Sequence, residues 1–513
     1  MGGVKWLWLG LWVCTVTFGC SRVWRGQLAN PGAFDQPAEE DAPFLKVHLT
    51  DGSVYVLEDF IVSRDGVEGT GLLYDPERNQ VGTPAKHVVP RERIALLETS
   101  RPEKVAHPEY AVMGVLTVGT AAGAALCATN PKACFGSCPT FYLPGADRPV
   151  AEGFSKAMAP ALELRDVDAV GIFDGSVRMI VRNEALETHH IRTLEAWHAP
   201  IPTGWDRLRR TPDNRVFAVR KATPPSTCKG LGPRCVEALA TADGKDAFLD
   251  ASATDLGERV DAHVEFDTPF EASSGRLGVV VTARRSLIDT FVFYQMLAFA
   301  GHHAGHYVAR LGWDPVWLLT ALRMEKALGA LEISRWRRGR WETVGEFREV
   351  GPIATDAWLF VLDAPMNEDS LKLRLRMARG LFRIESLELV EVGPEARLDR
   401  VGPRVLTSNV DSVGKTHRYL ADPGLHLVTQ PKDRFEIRFD LGPGPQEVFL
   451  ASTGFYTEWM RPSWLQEQDE AKFLRYTRNP ALALEELASK YKELEPVMEA
   501  QFWESRFGHR DIP

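Results

Sequence analysis

Residues 110–142 read YAVMGVLTVGTAAGAALCATNPKACFGSCPTFY and divide the chain into a short N-terminal part and a much longer C-terminal part. The run from Tyr110 to Ala128 has no charged residue and is long enough for a transmembrane helix. Gly119 and Gly123 give the small-residue spacing that lets membrane helices pack closely. We therefore expect an apolar helical segment at 104–132 that either spans a membrane or is buried or membrane-associated. We favour the second alternative because the run is rich in Ala, Gly and Thr.

On both sides of this run, apolar and polar residues alternate as is typical of β-strands. Asp51-Gly52, Asp65-Gly66 and Asp174-Gly175 are dipeptides that favour tight hairpin turns. The segment from Phe382 to Leu389, which follows an alternating partner strand, resembles the closing strands of galactose-binding-like jelly rolls. The apolar spacing becomes helical at 287–330 and again near the C-terminus.

The sequence therefore predicts a mainly β (α+β) protein. In chain order we expect a small N-terminal β domain (44–103), the apolar helical segment (104–132), a β-rich domain (133–264), a jelly-roll-like β-sandwich (265–400) with a helical insertion (287–330), β-hairpins (401–457) and a helical tail (458–513).

Composition and charge limit the class of protein. The chain has 513 residues, 44% hydrophobic and 25% charged, which is the composition of a globular protein with proper cores. The formal net charge is −9, and acidic and basic residues are interspersed. Because nucleic-acid binding needs a basic stripe to neutralise phosphates, we do not expect DNA or RNA as a partner.

The first twenty residues have the features of a secretory signal. Lys5 precedes an apolar run from Trp6 to Gly19, too short to span a bilayer comfortably. The sequence Thr17-Phe-Gly-Cys-Ser21 resembles a bacterial lipobox, which implies that Cys20 is lipidated and becomes the mature N-terminus. We expect a signal peptide at 1–20, a flexible linker at 21–43, and attachment to the membrane through the lipid; the alternative is a signal in which Cys20 is incidental.

Four cysteines form two pairs that are close in sequence, Cys134 with Cys138 and Cys228 with Cys235. An exported protein is expected to oxidise such pairs, so we predict two local disulfides. A zinc site is the alternative, but neither pair has the two-residue spacing of a zinc knuckle.

The motif Cys134-Phe-Gly-Ser-Cys-Pro-Thr-Phe-Tyr142 and the pieces that follow it, Ala151–Ser155, Asp166–Asp168 and Asn183–His189, resemble a group of uncharacterised bacterial envelope lipoproteins. Members of that group place a Cys-Pro-x-aromatic-Tyr motif after an apolar stretch. The resemblance implies a membrane-anchored protein that faces the periplasm or the cell exterior. It implies no activity, because the group has none assigned.

Three sets of residues are candidates for chemistry. His302 and His306 lie one helical turn apart on a predicted helix, as in zinc metalloproteases, but His303 stands where those enzymes have a catalytic Glu. A hairpin at Arg335–Trp341 carries Trp336, Arg338, Arg340 and Trp341, which could bind an anionic glycan or a lipid headgroup; solvated arginines are the simpler interpretation.

The third set consists of carboxylates and imidazoles between Glu184 and His198. In a strand, Glu187 and His189 point to one face, and His190 and His198 to the other. The set therefore does not converge, and we expect it to form hydrogen bonds at a sheet edge.

From these observations we expect a structural or interaction module of the bacterial cell envelope that has no cofactor. Its partners are expected to be the membrane, through the lipid anchor and the segment 110–128, and an envelope protein or a glycan. The alternatives are a carbohydrate-binding module that uses the Trp and Arg hairpin, and a metal-dependent hydrolase that uses His302 and His306.

Overall fold

The computed structural model describes residues 21–29, 44–49, 51, 53–75, 80–105, 138–185, 187–267, 276–311, 314–348, 351–362, 370–458 and 467–504. The protein is mainly β, with several antiparallel sheets, as predicted.

The strands are, in chain order, β1 (Ser21–Ala29), β2 (Leu45–Leu49), β3 (Val54–Ser63), β4 (Gly66–Tyr74), β5 (Gln80–Pro90), β6 (Ile94–Val105), β7 (Thr140–Tyr142), β8 (Ala151–Glu152), β9 (Leu164–Arg182), β10 (Glu187–Pro200), β11 (Arg207–Arg210), β12 (Val216–Thr223), β13 (Thr227–Lys229), β14 (Arg259–Asp267), β15 (Leu277–Arg285), β16 (Leu331–Arg337), β17 (Arg340–Phe347), β18 (Asp356–Leu362), β19 (Ser370–Ala378), β20 (Phe382–Glu395), β21 (Asp399–Val401), β22 (Arg404–Ser408), β23 (Leu427–Thr429) and β24 (Arg434–Glu458). The α-helices are α1 (Cys235–Ala238), α2 (Ile288–Ala300), α3 (Ala304–Arg310), α4 (Pro315–Leu328), α5 (Val413–Ala421), α6 (Glu470–Arg478) and α7 (Pro480–Glu504).

The N-terminal unit is a six-stranded sheet in the order β1-β6-β2-β3-β4-β5. Its β3–β4 hairpin turns at Asp65-Gly66 as predicted, and a Cβ atom on Gly66 would lie 2.1 Å from the Val89 carbonyl oxygen. The linker predicted at 21–43 is wrong for residues 21–29, which pair along β6 as strand β1 because that strand offers unsatisfied backbone groups. Strand β6 itself runs two residues past the predicted boundary. Residues 30–43 and the predicted signal peptide lie outside the described residues.

The central sheet is built around the 25-residue strand β24, which pairs with β9 on one side and β10 on the other. The hairpins predicted at 401–457 are wrong, since residues 434–458 form this one strand. The hairpin predicted at Asp174-Gly175 is wrong for the same reason: β9 continues through it, and the register shifts between Asp440 and Pro445 opposite. A continuous partner strand therefore overrides the local turn signal.

A two-part β unit is inserted between β10 and β21 of the central sheet. It consists of a closed barrel, β11-β12-β20-β15-β18, and a five-stranded sheet, β13-β14-β19-β16-β17. Within strand β15, Val280 points into the barrel interior, whereas Val279 and Val281 join a large core shared with Leu373 of the sheet. The sequence prediction of a jelly-roll-like sandwich beginning at residue 265 differs from this arrangement, because β14 crosses that boundary and earlier strands also belong to the unit.

A helical layer covers this unit. The insertion predicted at 287–330 spans Ile288 to Leu328, and α6 and α7 of the predicted tail pack against α2 and α4. None of the described helices combines the length and the apolar character that crossing a bilayer needs. The apolar helical segment was predicted at 104–132; residues 104 and 105 end strand β6, and residues 106–132, including the run 110–128, lie outside the described residues.

Candidate functional site

The hairpin predicted around residue 337 forms as β16 and β17. Arg337 pairs with Arg340, and the turn consists of Arg338 and Gly339, whose φ angles are +51° and +78°. Two central residues in the left-handed region give the turn whose twist matches that of the flanking strands. The hairpin therefore presents Trp336 and Trp341 directly opposite each other on neighbouring strands.

One face of the five-stranded sheet is open to solvent. Along β19, Leu371, Leu373 and Leu375 are buried in the large core, whereas Lys372, Arg374 and Arg376 lie between them on the other face. The same alternation places Asp261 and His263 of β14 outward. Because side chains alternate along every strand, this outer face is polar and accessible over several strands.

An aromatic and cationic group occupies the middle of this open face. The ring of Trp341 lies 5.2 Å from that of Trp336, edge to face, and 5.6 Å from the imidazole of His263. The guanidinium of Arg374 stacks over the Trp341 ring at 5.2 Å. We call Trp336, Trp341, His263 and Arg374 the aromatic platform. Trp336 is 38% exposed, so its indole is available to a ligand.

The hairpin beside the platform carries an excess of positive charge. Arg335, Arg337 and Arg340 share a single carboxylate, that of Glu342, at 3.8, 4.0 and 3.3 Å. Arg338 is exposed at the tip. By contrast, Arg374 on the platform is matched by its own partner, with Glu332 at 3.5 Å. Because three arginines share one carboxylate, guanidinium groups of the hairpin can also bind a carboxylate, sulfate or phosphate group of a ligand.

Only part of this site is predictable from the sequence. Trp336, Arg338, Arg340 and Trp341 lie together as predicted because one hairpin holds them. His263 and Arg374 were missed because they belong to strands distant in the chain. The strict alternation of β19 was a usable signal for Arg374, since it already placed that residue on the polar face.

The carboxylates and imidazoles of β10 lie in the interior. Glu187 and His189 point to the same side as predicted, with 3.2 Å between Oε2 and Nε2, and the hydroxyl of Tyr294 donates to Glu187 at 3.4 Å. The predicted edge position is wrong, because β10 lies between β24 and the short strands β21 and β23. Glu187 and His189 are both fully buried, so they join the central sheet to α2 and offer no surface to a substrate.

The two cysteine predictions have different outcomes. Cys228 and Cys235 form a disulfide with 5.8 Å between their Cα atoms. Cys138 is a free thiol buried in the core of the central sheet, and Cys134, its predicted disulfide partner, lies outside the described residues. Burial, followed by the charges of Glu152 and Glu187, raises the pKa of Cys138 well above its usual value. Its thiol is therefore protonated and inert.

The histidines proposed as metal ligands do not lie on one α-helix. His302 belongs to the 3₁₀ turn Gly301–His303, and His306 to α3. Gly301, with φ at +56°, ends α2 before them. Within the part of the chain that the structure describes, no three His, Cys, Asp or Glu side chains are arranged to hold a metal ion.

A cavity of about 40 Å³ lies between the N-terminal sheet and the helical layer. Lys46, His48 and Tyr74 line it from one side, and Phe293 and Val308 from the other. Ligand sites commonly have volumes of about 300 Å³ or more, so this space suits water rather than a substrate.

No family model matches this chain, and none of the curated proteins matches it. What the protein binds therefore has to be inferred from its own residues, and among those that the structure describes the aromatic platform is an accessible group of residue types common in ligand sites.

Proposed function

We propose that the protein is a lipoprotein of the bacterial cell envelope, that it acts as an interaction module, and that the aromatic platform binds an acidic glycan. The observation that carries the proposal is the Trp336–Trp341 pair, 5.2 Å apart on an open sheet face with Arg374 over one ring. Large aromatic side chains and arginines are the residues that contribute most to binding surfaces.

The chemistry of the platform suits a sugar that carries a negative charge. An indole offers a flat apolar surface on which the apolar face of a pyranose ring can stack. Guanidinium groups bind carboxylates and sulfates through paired hydrogen bonds. Trp336 supplies the aromatic surface, and Arg338, exposed at the tip of the same hairpin, supplies a guanidinium group.

The shape of the site favours an extended polymer over a compact ligand. The platform lies on the open outer face of a five-stranded sheet. Small molecules are usually held in concave pockets that cover most of their surface, whereas a chain of sugars can lie along an open face. Repeated weak contacts along such a chain add up through high effective concentration.

Three features of the sequence and one of the structure support the envelope location. The sequence features are the apolar N-terminal run, the lipobox-like Thr17–Ser21 and the Cys-Pro-x-aromatic-Tyr motif that ends at Tyr142. The structural feature is the Cys228–Cys235 disulfide, because such bonds persist in oxidising compartments outside the cytoplasm.

The test is calorimetric titration with polygalacturonate as the acidic probe and dextran as the neutral one. We expect binding of polygalacturonate that weakens with salt, and an affinity loss of about tenfold or more for Trp341→Ala, because the stacked ring lies at the centre of the platform. Arg338→Ala should weaken binding several-fold, and the effect of Trp341→Phe should lie between those of Arg338→Ala and Trp341→Ala.

Arg215→Ala is the matched control, since Arg215 is exposed and pairs with Glu395 away from the platform. The proposal fails if neither polymer binds, or if Trp341→Ala binds polygalacturonate as tightly as the unsubstituted protein does.

A further inference from the structure

Helix α4 (Pro315–Leu328) is well formed at both ends and packed on one side only. Asp314 caps it, accepting hydrogen bonds from the backbone N–H groups of Val316 and Trp317 at 3.0 Å each. Trp317 and Met324 pack against the large core, and Leu328 is buried in it. The orientation of the helix is therefore fixed, and so is the face that points to solvent.

That outer face is apolar over its first two turns. Val316, Leu319 and Leu322 are 73%, 62% and 41% exposed. Their spacing of three residues places them along one stripe of the helix. Single exposed apolar residues are ordinary, but three in one stripe form a surface that is typically covered by something.

The charges around the stripe favour one kind of partner surface. The acidic residues of this region are already paired: Asp314 with Arg310 at 2.8 Å, and Glu325 with Lys156 at 2.7 Å. Arg323 and Lys326 are exposed, and no carboxylate of a described residue pairs with either of them. The face thus combines an apolar stripe with unpaired basic charge, which is the pattern of a helix that lies in a membrane interface.

The position of the helical layer beside the N-terminal sheet also favours a membrane as the partner surface. The cavity lined by Lys46 and His48 of the N-terminal sheet is closed from the other side by α2 and α3, which precede α4 directly. The N-terminal sheet in turn begins at Ser21, one residue after the proposed lipid attachment site. The helical layer therefore lies against the sheet that follows that site in the chain.

We propose that the outer face of α4 binds the surface of an anionic lipid bilayer. Val316, Leu319 and Leu322 enter the boundary between headgroups and acyl chains, and Arg323 and Lys326 contact lipid phosphates. The contact is independent of glycan binding at the aromatic platform, and it does not require that Cys20 be acylated.

The experiment uses the full-length protein with Leu319→Cys, labelled with an environment-sensitive NBD maleimide. Vesicles of phosphatidylcholine mixed with phosphatidylglycerol should raise the NBD emission at least about twofold, and doxyl-labelled lipids should quench it. Vesicles of phosphatidylcholine alone should give a smaller change. The unsubstituted protein, carried through the same labelling, measures the contribution of native thiols.

Thr407→Cys, at an exposed position of β22, is the matched control and should give no change with vesicles. Adding R323E and K326E to the Leu319→Cys protein should remove the preference for anionic vesicles. The first result is expected only if the contact is local to α4, and the second only if charge directs the contact.

Three outcomes overturn the proposal. The first is an unchanged NBD signal at position 319 in anionic vesicles. The second is an equal signal in neutral and anionic vesicles. The third is a signal that rises with protein concentration without vesicles, which identifies a second copy as the occupant. Polygalacturonate binding, measured on the same variants, separates failure here from failure of the proposed glycan site.

Discussion

At the scale of single residues, buried carboxylates hold the inserted unit to the central sheet. Glu447 of β24 is fully buried and accepts hydrogen bonds from Arg207 at 2.6 Å and from the backbone N–H of Leu208 at 3.2 Å. Burial, followed by the charge of Arg207, lowers the pKa of the neighbouring Arg209. One carboxylate thus compensates the desolvation of two arginines on the barrel strand β11.

Glu447→Gln keeps the shape of the side chain but removes this compensating charge. We expect the free energy of unfolding to fall by about 2 kcal/mol, less than for a wholly buried pair because Arg207 can regain water. Urea denaturation followed by circular dichroism measures the change. Glu395→Gln, which breaks the exposed pair with Arg215, should have little effect; equal losses for both variants would contradict the prediction.

The role of Glu447 could not be predicted from the sequence. Its partner Arg207 is 240 residues away, and both lie in segments whose local pattern indicates only a strand. Trp336 and Trp341, by contrast, were predicted as neighbours because a local turn brings them together. Residue contacts are thus predictable where they depend on a hairpin, and not where they depend on which strands meet.

At the scale of elements, the same distinction separates correct turn predictions from wrong ones. Asp65-Gly66 makes the expected hairpin, since β3 and β4 pair with each other along their length. Asp174-Gly175 has the same local signal, yet β9 passes through it because β24 offers a longer partner. The helical insertion was predictable from its period alone. The sheet to which each strand belongs was not.

The Cys228–Cys235 disulfide fastens the edge strand β13 to the short helix α1. Strand β13 pairs with β14 through Lys229 and His263, so it also supports one side of the aromatic platform. Replacing both cysteines by Ala should lower the free energy of unfolding by about 2 to 3 kcal/mol, because the unfolded chain regains the freedom of the closed loop.

Hydrogen exchange should show the loss locally, as faster exchange in β13 and in the facing residues of β14. Reduction of the unsubstituted protein serves as the control and should give the same pattern. Unchanged stability and unchanged exchange in β13 would show that the bond adds nothing to this edge.

At the scale of the whole molecule, the chain leaves the central sheet after β10, builds the barrel, the open sheet and helices α2 to α4, and returns at β21; α6 and α7 complete the helical layer after β24. The boundaries predicted at 264 and 400 follow changes in the local spacing of apolar residues. They therefore do not show that the barrel and the open sheet are inserted into the central sheet. Only pairing between distant segments, such as β10 with β24, defines the central sheet. Fold class was therefore predictable, whereas domain composition was not.

The N-terminal sheet is joined to this body through Phe44, which is 2% exposed and packs in the large core. Phe44→Ala should lower stability by about 3 kcal/mol and let the sheet unfold as a separate step. Hydrogen exchange followed by mass spectrometry would show β2 and β3 opening before the rest. Ile61→Ala is the control, since Ile61 is 70% exposed, and a single cooperative transition for both variants would refute the coupling.

The start of β1 at Ser21 sets how far the molecule can reach. A lipoprotein with a long flexible linker can reach ligands over a wide volume around its anchor, and this distance increases with the length of the linker. If Cys20 is acylated as proposed, no flexible residue separates the acyl chain from the folded protein, because Ser21 already belongs to strand β1. The folded protein would then lie directly on its membrane. The distance between the bilayer and a polymer bound at the aromatic platform would be set by the dimensions of the folded protein.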